Sequence, residues 1–360
     1  MPYIMMFLIL ILLIVLIISL YLYIYQVVKL LKLDKNKLIK YVALIVAIIL
    51  IFGSIYVIFV STFWSLVSLF ILHLSLLSFI TYLLNILLKR FKLWNKIYVF
   101  ISLMLSFIVI VYGYFNMLNV VSTTYTVHNE KLDNQYKIVL IADLHYGVSL
   151  NDKQLKKYCD EISSLNPDFV VLAGDIVDER TTKKQMESAF KLLGSIKNNY
   201  GIFYTYGNHD KNNYSANPAY TSVELAKEIQ KNNINILEEQ IYLINEDLVI
   251  IGRGYDVRTS LDQILKYVDK EKFLLAVDHM PQEYIPNMES GINMLLSGHT
   301  HAGQIFPVGL IERIFKTSDL IYGISEYENF TGIVTSGIAG WAMPMRTEKH
   351  SEYVIINLEQ

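Results

Sequence analysis

Five short polar clusters in the second half of the chain carry the residue types able to do chemistry. They are Asp143-Leu-His145, Gly174-Asp175-Ile-Val-Asp178, Gly207-Asn208-His209-Asp210, Asp278-His279 and Gly298-His299-Thr300-His301. Five of the eight histidines fall in these clusters; only His73, His128 and His350 lie elsewhere. Carboxylate oxygen suits hard divalent cations and imidazole suits borderline ones, so a mixed Asp, His and Asn set fits manganese, iron or zinc. Two such ions about 3.5–4 Å apart can hold a bridging hydroxide and clamp a phosphate oxygen for in-line displacement. That arrangement needs one carboxylate shared by both ions, and Asp175, in the central cluster, is the candidate. Any single cluster reads as an ordinary turn or cap. Five in series, each behind an apolar run, do not.

The apolar runs must place these groups. Residues 136–142, 168–173, 201–206, 272–277 and 293–297 read as buried strands, each ending at a cluster. Helices are expected between them: from Asn151 or Asp152 to Leu165, over 183–197, from Pro218 to Asn232, and over 259–268. Short strands fill 234–251, and the tail adds strands near 331–336 and 353–358. Strands alternating with helices predict an α/β layered fold, which places its ligands at the strand C-termini. About 240 residues suffice for one sizeable core. The apolar residues near Ile305-Phe306-Pro307 and Leu310-Ile311 read as core in preference to an acyl pocket. Cys159 is the only cysteine. The chain therefore has no internal disulfide, and the helical setting of Cys159 makes it a packed small hydrophobe rather than a nucleophile.

The first third differs. Hydrophobic residues make up 53% of the chain and the mean hydropathy is +0.37. Residues 3–28, 41–88 and 97–127 contain no Lys, Arg, Asp or Glu. A bilayer crossing takes about 20 apolar residues, which predicts four membrane helices near 4–26, 41–60, 65–88 and 97–119. The first is too long for a cleaved signal peptide and lacks its flanks. Residues 1–121 then form the membrane region and 122–360 the soluble domain. Basic loops at 29–40 and 89–96 join spans one to two and three to four. Such loops stay in the cytoplasm, so the soluble domain is expected to be extracytoplasmic. Nine basic residues and one acidic residue precede residue 121, leaving 22 basic against 32 acidic and a soluble part near −10. That balance excludes nucleic acid as a partner.

The clusters resemble, in order, the five blocks of the calcineurin-like metallophosphoesterases. The form Gly298-His-Thr-His-Ala-Gly-Gln304 is similar to the membrane-associated bacterial branch related to UDP-diacylglucosamine hydrolases. The resemblance implies a four-layer α/β/β/α sandwich holding two divalent metal ions. By position, Asp143, His145 and His301 would bind the first metal, Asp175 would bridge, and Asn208, His279 and His299 would bind the second. His209 would stabilise the phosphate and protonate the leaving alkoxide, with Asp178 orienting its imidazole. A metal-bridging hydroxide would be the nucleophile. Many relatives carry Arg directly after the second Asp of the central block, where this chain has Glu179 and then Arg180. Residues 336–346 resemble the branch's closing Gly-rich loop, so Arg346 would touch substrate phosphate or cap a strand. The expected function is hydrolysis of a phosphodiester or pyrophosphate, in a lipid or cell-envelope precursor at the cell membrane. The rival reading is a non-catalytic membrane receptor or scaffold on the same fold. Oligomeric state is not read from the sequence.

Overall fold

The computed structural model describes residues 2–58, 60–87 and 94–360. The chain divides into two compact units: residues 1–115 with 343–345, and residues 116–342 with 346–360. The first holds α1 (Pro2–Leu30), α2 (Leu38–Val57), α3 (Thr62–Leu87) and most of α4 (Trp94–Leu118). All four are long and apolar enough to cross a membrane. Their sides are sorted as lipid solvation requires. Ile18, Ile45, Ile49 and Phe52 face outward, while Ser19, Ser75, Ser78, Thr81 and Ser102 are buried between helices. Ser78 donates to the Ser19 carbonyl at 3.4 Å, and the Thr81 and Ser102 hydroxyls meet at 2.6 Å. Small hydroxyl residues let helices approach closely where no water competes. The first basic loop connects α1 to α2. Most of the second, residues 88–93, lies outside the described residues.

The second unit contains β1 (Val120–His128), β2 (Tyr136–Ile141), α5 (Asp152–Ser164), β3 (Phe169–Ala173), α6 (Lys183–Leu193), β4 (Gly201–Thr205) and α7 (Ser222–Lys231). It continues with β5 (Ile234–Ile236), β6 (Ile241–Leu243), β7 (Leu248–Gly252), α8 (Leu261–Ile264), β8 (Phe273–Val277), α9 (Tyr284–Ser290) and β9 (Met294–Ser297). A 3₁₀ turn (His301–Gly303), α10 (Val308–Phe315), β10 (Gly323–Tyr327), β11 (Phe330–Val334) and β12 (Ser351–Glu359) complete it. Two six-stranded sheets result, ordered β1-β12-β2-β3-β4-β5 and β10-β11-β9-β8-β7-β6.

Residue alternation assigns the layers. Ile138, Leu140, Val171 and Phe203 of the first sheet meet Ile250, Leu275, Leu296 and Ile333 of the second. The opposite face of the first sheet, with Val139, Val170 and Leu172, packs on Leu155, Cys159, Phe190 and Leu225 from α5, α6 and α7. The outer face of the second, with Ile251, Leu274 and Leu295, packs on Leu261 and Tyr284 from α8 and α9. Four layers, α/β/β/α, follow. Both faces of the central strands are covered, which is why they read as continuous apolar runs.

Several expected boundaries move. Capping boxes start α5 at Asn151 and α6 at Thr182, as expected, but α6 ends at Leu193 rather than near 197, and a third box starts α7 at Thr221, after Pro218. The helix expected over 259–268 is one turn of α-helix, α8. The apolar residues at 306–314 are not core: Phe306, Val308, Leu310, Ile311 and Ile314 are exposed. The polar and small positions of α10, Gly309 and Glu312, take the inward side instead.

Candidate metal centre

β2, β3 and β4 of the first sheet and β8 and β9 of the second end on one side of the sandwich. Their loops carry the five clusters. Gly174 permits the crossing of two of these loops. It has φ of 82°, and a Cβ there would stand 2.6 Å from Gly207 N and 2.7 Å from His279 Nδ1. Asp143, His145, Asp175, His299 and His301 all adopt left-handed backbone, with φ between 39° and 73°. Each such residue costs on the order of 1–3 kcal/mol and persists only where the surroundings enforce it.

The enforcing contacts are visible. The Asp143 and His145 N–H groups donate to the Gly174 and Asp175 carbonyls at 3.0 Å. The buried Asp210 carboxylate accepts from Gly207 N at 2.6 Å, Asp175 N at 2.7 Å, Ile176 N at 2.9 Å and Val177 N at 3.2 Å. Asp210 thus fixes the β3 and β4 loops together. The sequence signal for this brace is an acidic residue following Asn-His in a strand-end turn, which by itself assigns Asp210 no role.

Within this frame the donors converge. One atom each from Asp143, His145 and His301 lie within 4.8 Å of one another, as do atoms from Asp143, Asp175 and His279. Asp175 Oδ2 is 3.7 Å from His145 Nε2 and 3.2 Å from His279 Nε2, so one carboxylate faces a histidine of each expected set. Asn208 Oδ1 lies 3.2 Å from His279 Nε2 and 3.0 Å from His299 Nδ1. His279 Nδ1 is 2.8 Å from the Ala173 carbonyl, a contact that makes Nδ1 the donor and leaves Nε2 as a lone pair facing the centre. His299 and His209 are partly exposed; the other six residues of the expected metal set are buried.

Electrostatics shows what the cluster lacks. Both ring nitrogens of His145, and Nδ1 of His301, are buried with no hydrogen-bond partner. Burial pushes Asp143 up to about 6. Burial works against the charged forms of Asp175 and His279 too. Even so, His279, His145 and His209 hold Asp175 below the usual carboxylate range, and Asp175 and Asp143 hold His279 at about 10. Burial and the neighbouring His279 push His299 down to about 4. Buried donors crowded without partners are what a pair of divalent cations would satisfy.

Two expected roles are corrected. Asp178 does not orient His209. Its Oδ1 accepts from Arg180 N at 2.8 Å, and its Oδ2 lies 3.4 Å from His145 Nδ1. The partner of His209 is Glu179, 2.9 Å from Nδ1. The turn after Val177 sends the second carboxylate, not the first, toward the imidazole. Arg346 does not reach a substrate-accessible surface. It is fully buried and donates to the carbonyls of His301 at 2.8 Å, Ser336 at 2.8 Å and Ala339 at 2.6 Å. Arg180 donates to the Ala342 carbonyl at 2.8 Å. The aromatic flanks of His209 were also unforeseen: the rings of Tyr214 and Trp341 lie 5.2 and 5.4 Å from it.

Residues 136–303 match the family model described as calcineurin-like phosphoesterase. Over those residues the soluble unit is similar to this family. Among curated relatives, an uncharacterized metallophosphoesterase of Helicobacter pylori strain J99 is 30% identical over 241 residues, 64% of this chain and 62% of the relative. One from Campylobacter jejuni is 26% identical over 303 residues, 78% of this chain and 76% of the relative. A transmembrane protein with metallophosphoesterase domain from Danio rerio is 26% identical over 246 residues, 63% of this chain and 54% of that protein. The chain therefore spans less than two thirds of the Helicobacter and Danio relatives. The matched residues follow four helices long and apolar enough to cross a membrane, and the chain is a membrane protein.

Proposed function

We propose that this metallophosphoesterase domain, residues 122–360, hydrolyses a phosphodiester or pyrophosphate with two divalent metal ions. The observation that carries the reading is Asp175, one carboxylate facing His145 on one side and His279 on the other. Asp143, His145 and His301 would hold one ion, Asn208, His279 and His299 the other, and Asp175 would serve both. When bound, the ions supply Lewis-acid polarisation of the phosphate and an activated water. Manganese, iron and zinc all suit this donor set.

The chain's own residues do the rest. His209 N–H donates to Asp175 Oδ1 at 2.9 Å, which fixes the imidazole beside the centre. Glu179 holds Nδ1, leaving Nε2 to carry the proton that the leaving oxygen needs. Burial lowers the affinity of His209 for that proton. The Glu179 hydrogen bond and the charges of Asp175 and Asp178 outweigh it, so the imidazole is held above its ordinary range. The substrate is a lipid-linked or cell-envelope phosphoester, as in the UDP-diacylglucosamine hydrolase branch; membrane helices on the same chain support this. The basic loop at 29–40 supports an extracytoplasmic domain.

The test uses the full-length protein in detergent with manganese and bis-(p-nitrophenyl) phosphate. Asp175→Ala is expected to lose both turnover and bound metal. His209→Ala is expected to keep its metal and to lose turnover by roughly 10²-fold or more on an alkyl phosphodiester, and by a smaller factor on this p-nitrophenyl ester. Unchanged turnover in both variants would sink the assignment.

A further inference from the structure

α10 is built inside out. Its N-terminal turn is tied to the domain by Gly309 N–H, which donates to Glu348 Oε1 at 2.8 Å, and the Glu312 carboxylate is partly buried. The side turned away is apolar: Leu310, Ile311 and Ile314 are exposed, Ile314 by 66%, with Val308 at the edge of the arc and Phe306 just before it. A surface helix in water shows the reverse pattern. A contiguous exposed apolar ridge marks a surface with a partner.

The same helix borders a recess of about 700 Å³ into which Arg313, Lys316 and Lys349 contribute. Asp319, the one acid lining it, is committed to the Tyr284 N–H at 3.0 Å. Three cations around one recess are a local exception in a domain near −10, although Arg313 also lies 3.7 Å from Glu348. An apolar ridge rimmed by cations is complementary to an interface with acyl chains below and phosphates above. A second copy of the chain fits less well, because a two-fold contact over this ridge would bring each Arg313 and Lys316 toward its own counterpart.

We propose that α10 and the adjoining basic recess form a docking surface for anionic phospholipid. Phe306, Leu310, Ile311 and Ile314 enter the acyl boundary, and Arg313, Lys316 and Lys349 meet headgroup phosphates. The four membrane helices keep the domain at high effective concentration near lipid, so a weak interfacial contact is enough. The surface is wired to the metal centre. α10 follows the His301 turn directly, and Gln304 between them exchanges hydrogen bonds with the Trp341 backbone at 2.9 and 3.1 Å. Trp341 in turn flanks His209. The inference stands whether or not the centre hydrolyses a lipid.

The test places a bimane label at Ile314→Cys in the full-length chain, reconstituted in vesicles of phosphatidylcholine with phosphatidylglycerol. A second label goes at Tyr267→Cys, which is 88% exposed in the loop after α8. Lipids brominated on their acyl chains are expected to quench the label at 314 severalfold more than the label at 267. The charge-reversal variant R313E/K316E/K349E is expected to lose most of that difference in anionic vesicles and to match the parent in pure phosphatidylcholine. Equal quenching at 314 and 267 overturns the proposal. So does quenching indifferent to anionic lipid, or a signal at 314 that depends on the protein-to-lipid ratio rather than on bromine, which would indicate a second copy.

Discussion

The carboxylate that meets the His209 imidazole, Glu179, is one that the motif alone does not identify. Asp178 and Glu179 are adjacent carboxylates, and which one faces the imidazole depends on how the turn after Val177 closes. Here Thr181 Oγ1 accepts from Asp178 N at 3.0 Å and Arg180 N donates to the Asp178 carboxylate, so that side chain is occupied within its own turn. The convergence of the candidate donors was legible because each lies in a contiguous cluster at a strand end. Their partners were not, because Glu179, Asp210 and the Trp341 flank come together only through loop conformation. Arg346 shows the same limit: a cation in a closing loop reads equally as phosphate ligand or as brace, and only its three carbonyl acceptors decide for brace. If Glu179 positions and charges His209, Glu179→Gln lowers kcat about tenfold or more for an alkyl phosphodiester. The loss is smaller for a p-nitrophenyl ester, whose leaving group departs without a proton, and metal content is unchanged. An equal loss for both esters would assign Glu179 to the fold rather than to proton delivery.

Strands were the most legible elements, because burial on both faces writes a continuous apolar run. Helix starts were less so: α5 and α6 begin where expected, but at Thr221 a capping box overrides the earlier Pro218. β1 was hidden: its residues 120–127 extend the uncharged stretch that begins at residue 97, and hydropathy alone does not separate membrane helix from strand there. α10 misled for a different reason. Its apolar residues are real, but the side they occupy is set by Glu312 and Gly309 turning inward, which no count of apolar residues records. Burial, then the nearby Glu348, pushes Glu312 up to about 7. The folded state thus binds this proton more tightly than the unfolded chain does. The stability it contributes is complete below the ordinary glutamate range and is lost as pH rises through about 7. Glu312→Gln is therefore expected to melt higher than the parent at about pH 8, with the gap closing at about pH 5. A thermal-shift series in detergent checks this, and a gap independent of pH contradicts it.

For the whole molecule, charge is divided as sharply as hydropathy. The membrane third holds most of its few charges in basic loops, while the soluble unit is acidic. If those loops stay in the cytoplasm, alkaline phosphatase fused after Gln360 is active and a green fluorescent protein at the same position is dark. The opposite pair of results would place the domain in the cytoplasm and remove extracytoplasmic phosphoesters from consideration.

The order of the first sheet has a further consequence. β12, which follows the other eleven described strands in the chain, lies between β1 and β2, parallel to one and antiparallel to the other. Until it emerges, β1 has no partner and β2 presents a bare edge, although both were made more than two hundred residues earlier. The domain therefore cannot close strand by strand as the chain elongates. It must wait, open along that seam, for the nine residues of β12. A ribosome stalled or a message cut shortly before Ser351 would leave a nascent chain already anchored in the bilayer, with an unfilled slot able to capture a β-strand from another chain.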